Sequence, residues 1–284
     1  MTLTQETLRQ TPVFGIAGNF AEHLNQAGED ADFVEVKTED DKAPKGMFPI
    51  YIPGHPSFLG TYPLSNERIQ ADFSHPINVQ MEPEICVLFD VVYNDDGDIT
   101  QLSAKAFSAF NDCSIRRPNA TKISQKKNWG ESCTGISNQW VEIDRFDKGG
   151  ILDHYHITSF LKRADDVEAY GMDSPVLGYN YFYRTLKDWM VKTFNQQTDF
   201  GPLEQLSPML AEAGHPKQII VTLGATRYTP FGETGYLKAG DRIGVFVYDK
   251  NAVSEAEVET YFKNDTLPAN FKGSALIQSV TDTE

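Results

Sequence analysis

Met81-Glu82-Pro83-Glu84-Ile85-Cys86-Val87-Leu88-Phe89 sets two carboxylates two residues apart in a run of apolar residues. Read as a strand, its side chains alternate faces, so Glu82, Glu84, Cys86 and Leu88 share one face and Pro83, Ile85, Val87 and Phe89 the other. Alternate residues on one strand face lie roughly 6–7 Å apart at Cα. Carboxylates held at that spacing beside apolar neighbours repel each other and lose hydration, so one takes up a proton or a cation sits between them. A hard divalent ion suits carboxylate oxygens. The plain alternative is a solvated strand face with two exposed glutamates, and the pair alone does not separate the two.

Working outward, Asn94-Asp95-Asp96-Gly97-Asp98 has hairpin-turn chemistry. It is not a calcium loop of the EF-hand kind, because Gly97 at the sixth place puts Val92 at the first. Residues 103–111 read as the return strand, apolar on both faces and so buried on two sides, and they deliver Asp112 at the far end.

On the N-terminal side, residues 13–17 read as a strand and 20–27 as a helical turn or two ended by Gly28. Phe33, Val34 and Val36 suggest a short strand, and the prolines of 48–53 suit an edge strand. On the C-terminal side, 139–146 and 151–161 suggest a hairpin about Gly149-Gly150. Residues 179–194 form the clearest helix, with Phe182, Leu186, Trp189, Met190 and Phe194 at helical spacing as core. Residues 203–213 suggest a second helix interrupted by Pro208, and 218–223 and 242–248 are β-rich. Ser254-Glu255-Ala256-Glu257 is a capping box. Many strands, few helices and no regular βαβ alternation predict a strand-dominated α+β fold.

The chain has 284 residues, with 25 basic against 40 acidic side chains and a net charge of −15. That balance argues against a nucleic-acid backbone or an anionic membrane as the main partner. It leaves room for a small anionic substrate, because a bound cation reverses the local field. Three cysteines, Cys86, Cys113 and Cys133, show no zinc-like spacing and no even count. They read as buried packing residues in a reducing compartment. The polar N-terminus and the lack of a long apolar run lead us to expect a cytoplasmic protein.

Four stretches together resemble the fumarylacetoacetate hydrolase family. Gly18-Asn19-Phe20-Ala21-Glu22-His23 is similar to its Asn-Tyr-x-x-His segment, and Glu82-Pro83-Glu84 to its Glu-x-Glu metal strand. Asn111-Asp112-Cys113-Ser114-Ile115-Arg116 is similar to its Asn-Asp-x-Ser-x-Arg, the most specific of the four. Lys127, with Cys133 six residues on, is similar to its Lys-Ser-Phe segment leading into Cys-Pro or Ala-Pro. Fainter matches follow at 219–224 and 237–241. Arg117 stands where the family usually has Asp, the family's Gly-Thr-Pro is missing, and Thr222 or Thr226 takes its threonine position.

The resemblance implies a mixed β-roll or sandwich in a single domain: an N-terminal lid portion over 1–47, then a β-rich core over 48–284 with a helical insertion near 179–213. It implies that Glu82, Glu84 and Asp112 bind one Mg²⁺, Mn²⁺ or Ca²⁺, with positions left open for a chelating 2-oxo or 1,3-dicarbonyl acid. Hydrolysis, decarboxylation or isomerisation through a metal-stabilised enolate would follow. Lys127, or Lys126 by spacing, would stabilise negative charge. Arg116, Ser114 and Thr226 would hold substrate, and His23 would be the general acid/base. A homodimer is expected, and a catalytically idle member that binds a metabolite or protein is the alternative.

One departure bears on activity. Active relatives back the histidine with a glutamate three residues on, and here that position is Gln26, with Glu22 and Glu29 as the nearby acids. A neutral amide cannot stabilise imidazolium by charge, so the sequence predicts weak C–C hydrolysis with decarboxylation surviving, and predicts that Gln26→Glu raises hydrolysis. His154 and His156 form a His-x-His that reads as a solvated strand face.

Overall fold

A computed structural model describes residues 3–20, 23–26, 28, 33–117 and 120–283. Its backbone is an eight-stranded sheet, a five-stranded sheet and a two-stranded ribbon. The large sheet runs, in spatial order, Gly46–Tyr51, Val13–Ala17, Gln218–Thr222, Pro83–Tyr93, Ile99–Asn111, Thr134–Ile136 and Leu64–Ser65, with Val141–Glu142 also paired to Ile99–Asn111. The smaller sheet runs Asp166–Pro175, Tyr155–Arg163, Arg242–Asp249, Gly273–Asp282 and Arg68–Ala71. The strand-dominated α+β expectation holds.

The organising hairpin is as the sequence predicts. Pro83 pairs with Asn111 and Glu84 with Phe110 at its open end. At the turn, Asn94 Oδ1 accepts from the Asp96 and Asp98 amides, and Gly97 takes φ +86°. Alternation along Pro83–Tyr93 feeds two cores. Ile85, Val87 and Phe89 pack with Phe107 and Ala109, and across to Ile157, Ile243, Val245 and Leu276 of the smaller sheet. Cys86 and Leu88 face the other way, onto Phe48, Phe110, Ile123, Leu203 and Ile220. Burying both faces of the central strands leaves no solvated side on which Glu82 and Glu84 could lie.

Helix Tyr183–Gln196 buries Leu186, Met190 and Phe194, and edge strand Gly46–Tyr51 contains Pro49. The capping box at Ser254 is complete and opens helix Glu255–Asn264.

Four expectations are corrected. Residues 33–36 form a turn, with Val34 exposed, because acidic and polar neighbours supply no second face to bury. Pro208 opens helix Ser207–Glu212 from its first turn and does not interrupt it, where its missing N–H costs nothing. The helical segment after Phe20 spans His23–Gln26 among the described residues, and Gly28 follows it at φ +70°; Ala21, Glu22, Ala27 and Glu29 lie outside them. The hairpin about Gly149-Gly150 does not form. Val141–Glu142 pairs with Ile99–Asn111, and Tyr155–Arg163 pairs with Asp166–Pro175 through a turn at Ala164, which adopts φ +53°. A turn built on alanine in that conformation has no glycine or asparagine signal to read.

Candidate active site

Glu82, Glu84 and Asp112 converge. They are 3%, 2% and 1% exposed, and each offers a carboxylate oxygen within 4.8 Å of the others. The solvated-face reading of the glutamates is therefore overturned. Asp112 arrives where the ladder ends: its amide donates to Glu82 O at 3.0 Å, and Glu82 N–H donates to Asn111 Oδ1 at 3.1 Å. Among the described residues this is the one group of three or more His, Cys, Asp or Glu side chains close enough to share a metal ion.

Lys127, 2% exposed, reaches the group from the one-turn helix Ser124–Lys127. Its Nζ lies 2.5 Å from Glu82 Oε2 and 2.8 Å from Asp112 Oδ2, and donates to Asp112 O at 3.0 Å. Arg116 Nη2 pairs with Glu82 Oε1 at 3.0 Å, while its Nε donates to Gln80 Oε1 at 2.8 Å and its Nη1 to Ser114 Oγ at 3.3 Å. Arg116 and Ser114, expected to hold substrate, thus stand behind Glu82.

The carboxyls are driven apart in acidity. Burial would raise Glu82, but Lys127 and then Arg116 outweigh it and hold the group well below the usual carboxylate range. Burial, then the charges of Asp112 and Glu82, push Glu84 well above its ordinary value. Its Oε2 accepts from the Gly224 amide at 2.8 Å. Gly224 takes φ +105°, and a Cβ there would lie 3.2 Å from Ile16 O, so this donor needs glycine. Gly224 was not singled out by sequence; the altered Gly-Thr-Pro region around it is the signal that could have found it.

His23 comes from the opposite wall. Its Nδ1 donates to Thr226 O at 2.9 Å, an assignment that follows because a carbonyl only accepts. That leaves Nε2 as the basic nitrogen, without a hydrogen-bond partner and 3.7 Å from Glu82 Oε2. Asn19 is fixed by donating to Tyr181 O and Leu223 O and accepting from Tyr181 N–H. Gln26 does not touch His23 in any described contact. It clasps the Tyr228 backbone, accepting from its N–H at 2.9 Å and donating to its carbonyl at 3.2 Å, and donates to Glu233 at 2.8 Å. Of the two threonines, Thr226 gives His23 its carbonyl, and Thr222 lies in the ladder opposite Cys86.

Between these walls lies a cavity of about 20 Å³, lined by His23, Lys127, the three carboxylates and the apolar Ile16, Phe20, Phe48 and Ile123. That is room for an ion or a water. The three cysteines are free and buried, with burial pushing each thiol up. His156 instead pairs with Asp173 at 2.9 Å.

A family model described as a family of unknown function, DUF5718, matches residues 29–280. The chain belongs to the DUF5718 family. No curated protein matches it in sequence. Its fold is similar to that of 5-carboxymethyl-2-hydroxymuconate delta-isomerase from Mycobacterium smegmatis, at 12% identity and TM-score 0.54, covering 96% of this chain and 80% of that one. It is also similar to the apo form of a 2-keto-3-deoxy-D-arabinonate dehydratase, at 14% identity and TM-score 0.51, covering 100% and 83%. A third is 2-hydroxyhepta-2,4-diene-1,7-dioate isomerase from Mycobacterium marinum, at 10% identity and TM-score 0.51, covering 96% and 75%. The resemblance to fumarylacetoacetate hydrolases is borne out at the level of the fold. Among the described residues no helix is long and apolar enough to cross a membrane.

Proposed function

We propose that the chain is a divalent-metal-dependent enzyme acting on a small 2-oxo or 1,3-dicarbonyl acid, with decarboxylation or isomerisation favoured over C–C hydrolysis. The carrying observation is the buried convergence of Glu82, Glu84 and Asp112 with Lys127 and His23. The donor set fits Mg²⁺, Mn²⁺ or Ca²⁺: three hard oxygens, an ion-sized space, and a Glu84 whose ionisation is opposed by its two neighbours until a cation joins them. Such an ion would supply Lewis-acid stabilisation of charge developing on a chelating oxo acid.

The chain's own residues do the rest. Lys127 puts a fixed positive charge beside the reacting oxygens, in a site shielded from water. Arg116, with Ser114 behind it, holds Glu82 ionised and oriented. His23, its tautomer set by the Thr226 carbonyl, offers Nε2 to take or return a proton. Thr226 Oγ1 is buried without a hydrogen-bond partner and could meet a substrate oxygen. Behind the ring, at Nδ1, a carbonyl orients His23 without adding the charge a carboxylate would, and the nearest carboxylate, Glu82, is already paired to Lys127 and Arg116, which is why water activation for hydrolysis is the weaker activity. The chain acts as one domain, in which 1–47 contributes Ile16, Phe20 and His23 over carboxylates supplied by 48–284. An oxo acid needs more room than the cavity has, so these walls part to admit it. We also propose a homodimer acting in the cytoplasm; light scattering that returns a 31.8 kDa monomer at micromolar concentration would overturn the dimer.

The test is a melt with and without Mg²⁺ or Mn²⁺, paired with turnover of oxaloacetate. A saturating ion should stabilise the fold by mass action, by about 2.7 kcal/mol at 100-fold over Kd, and so raise the melting temperature. Glu84→Ala should abolish both the shift and the turnover. Equal shifts in wild type and variant would remove the metal assignment.

A further inference from the structure

The helix that presents Lys127 has a single turn, Ser124–Lys127, too short to hold itself in place. Its supports come from residues 199–204. The Ile123 amide donates to Pro202 O at 3.1 Å. Lys122 Nζ donates to Gly201 O at 3.0 Å and Leu203 O at 2.7 Å, and pairs with Asp199 at 2.7 Å. Ser124 Oγ donates to Glu204 Oε1 in a very short contact. Gln197 Nε2 donates to Glu204 O and to Met47 O, both at 2.7 Å, so the same segment is tied to the strand whose Phe48 lines the cavity. The lysine helix is held between the carboxylates on one side and 199–204 on the other.

Glu204 is the unusual member of this clasp. It is buried, makes no ion pair among the described residues, and its Oε2 has no hydrogen-bond partner. The charged groups facing it are Lys122, ahead of the helix, and Asp199, at the start of its own segment, and they oppose each other. Burial pushes its carboxyl up to about 7, against the pull of Ser124 and Lys122. A buried carboxyl with one short bond and one bare oxygen is best satisfied neutral.

We propose that Glu204 is a positioning residue for Lys127: neutral, it stays buried in the clasp that holds the lysine helix through Ser124, and its ionisation places a charge there that only water can satisfy, which opens the clasp, loosens that helix and withdraws Lys127 from Glu82 and Asp112. The proposal concerns regulation of the site and rests on the reading of Lys127 given above.

Hydrogen exchange of the Ile123, Lys126 and Asn128 amides, corrected for intrinsic rates, tests it without needing turnover. Wild-type protection should fall about tenfold between pH 6 and pH 8, as the neutral fraction of a group titrating near 7 falls. Glu204→Gln, neutral throughout, should give a flat profile. Ser124→Ala should show low protection at both pH values, and Ser124→Thr should restore the wild-type profile. A flat wild-type profile, or the same slope in Glu204→Gln, overturns the proposal. If Glu204→Gln fails to fold, protection unchanged by Ser124→Ala overturns it. Sloping protection without oxo-acid turnover sinks the proposed function alone; turnover with flat protection sinks this inference alone.

Discussion

The central hairpin is acidic at both ends, and the two ends solve the same electrostatic problem in opposite ways. At the turn, Asp95, Asp96 and Asp98 are exposed, and water solvates their charge while Asn94 satisfies the backbone. At the open end, Glu82, Glu84 and Asp112 are buried, and the protein itself must supply what water supplies at the turn: Lys127, Arg116, the Gly224 amide and a Glu84 made a weaker acid, so that it holds its proton more readily. Carboxylates that cost nothing to keep are structurally neutral; carboxylates held against desolvation mark where chemistry is invested.

The largest test breaks the compensation directly. Lys127→Met leaves Glu82 and Asp112 buried without their ammonium, and loss of one member of a buried ion pair costs about 3–5 kcal/mol. Asp96→Asn at the turn should stay within about 0.5 kcal/mol. Urea midpoints for the two variants read the contrast; equal shifts would mean that burial does not distinguish the two ends.

Much of this contrast was legible in sequence. Alternation placed both glutamates on one face, the turn residues fixed the register, and that register delivered Asp112 beside Glu82. The depth of burial was not legible, because the partners that cover the site come from far along the chain: Phe48, Ile123 and Gly224 meet only after folding. Strands Asp166–Pro175 and Gly273–Asp282 were missed, the first because its turn uses Ala164, the second because its polar residues hide a half-buried alternation. Glu204 gave no signal at all, since a lone glutamate beside Leu203 and Leu206 is acidified or neutralised only by its surroundings.

Glu204 extends the comparison to a third solution, an acid buried without an ion pair among the described residues and neutral until about pH 7. Its carboxyl is raised from 4.5 to about 7, so the folded state binds the extra proton between those values. Stability is then fully present below about 4.5 and is lost as pH rises through about 7, levelling off above. Relative to Glu204→Gln, which cannot ionise, the wild type should lose at most about 3 kcal/mol between pH 5 and pH 8. Denaturation at both pH values measures it; parallel curves would place Glu204 with the solvated acids of the turn.

Gly224→Ala probes the neutral donors of the compensated end. The substitution forces alanine into φ +105° and against Ile16 O, a strain of about 1–3 kcal/mol. It should also weaken the amide's bond to Glu84. The melting shift from Mn²⁺ should therefore shrink along with stability, whereas Gly97→Ala at the turn, also at positive φ, should lower stability and leave the ion response unchanged. Equal ion responses would show that the Gly224 amide plays no part in shaping the carboxylate group.

The smallest effect separates two readings of the N-terminal segment. Spacing alone predicts that Gln26→Glu supplies the carboxylate missing behind His23 and raises acylpyruvate hydrolysis. The contacts predict otherwise. Gln26 both donates to and accepts from the Tyr228 backbone, and its amide also donates to Glu233. A glutamate keeps the acceptor, loses both donors and sets a second negative charge against Glu233. The half-exposed setting limits the cost to about 1 kcal/mol. His23 Nδ1 is already held by the Thr226 carbonyl, so the new carboxylate has no open place behind the ring. Gln26→Glu should be slightly less stable with hydrolysis no faster than wild type, and His23→Ala should remove whatever hydrolysis wild type has. A clear gain in hydrolysis from Gln26→Glu would mean that the segment rearranges when substrate binds, bringing position 26 behind the histidine as the spacing first suggested.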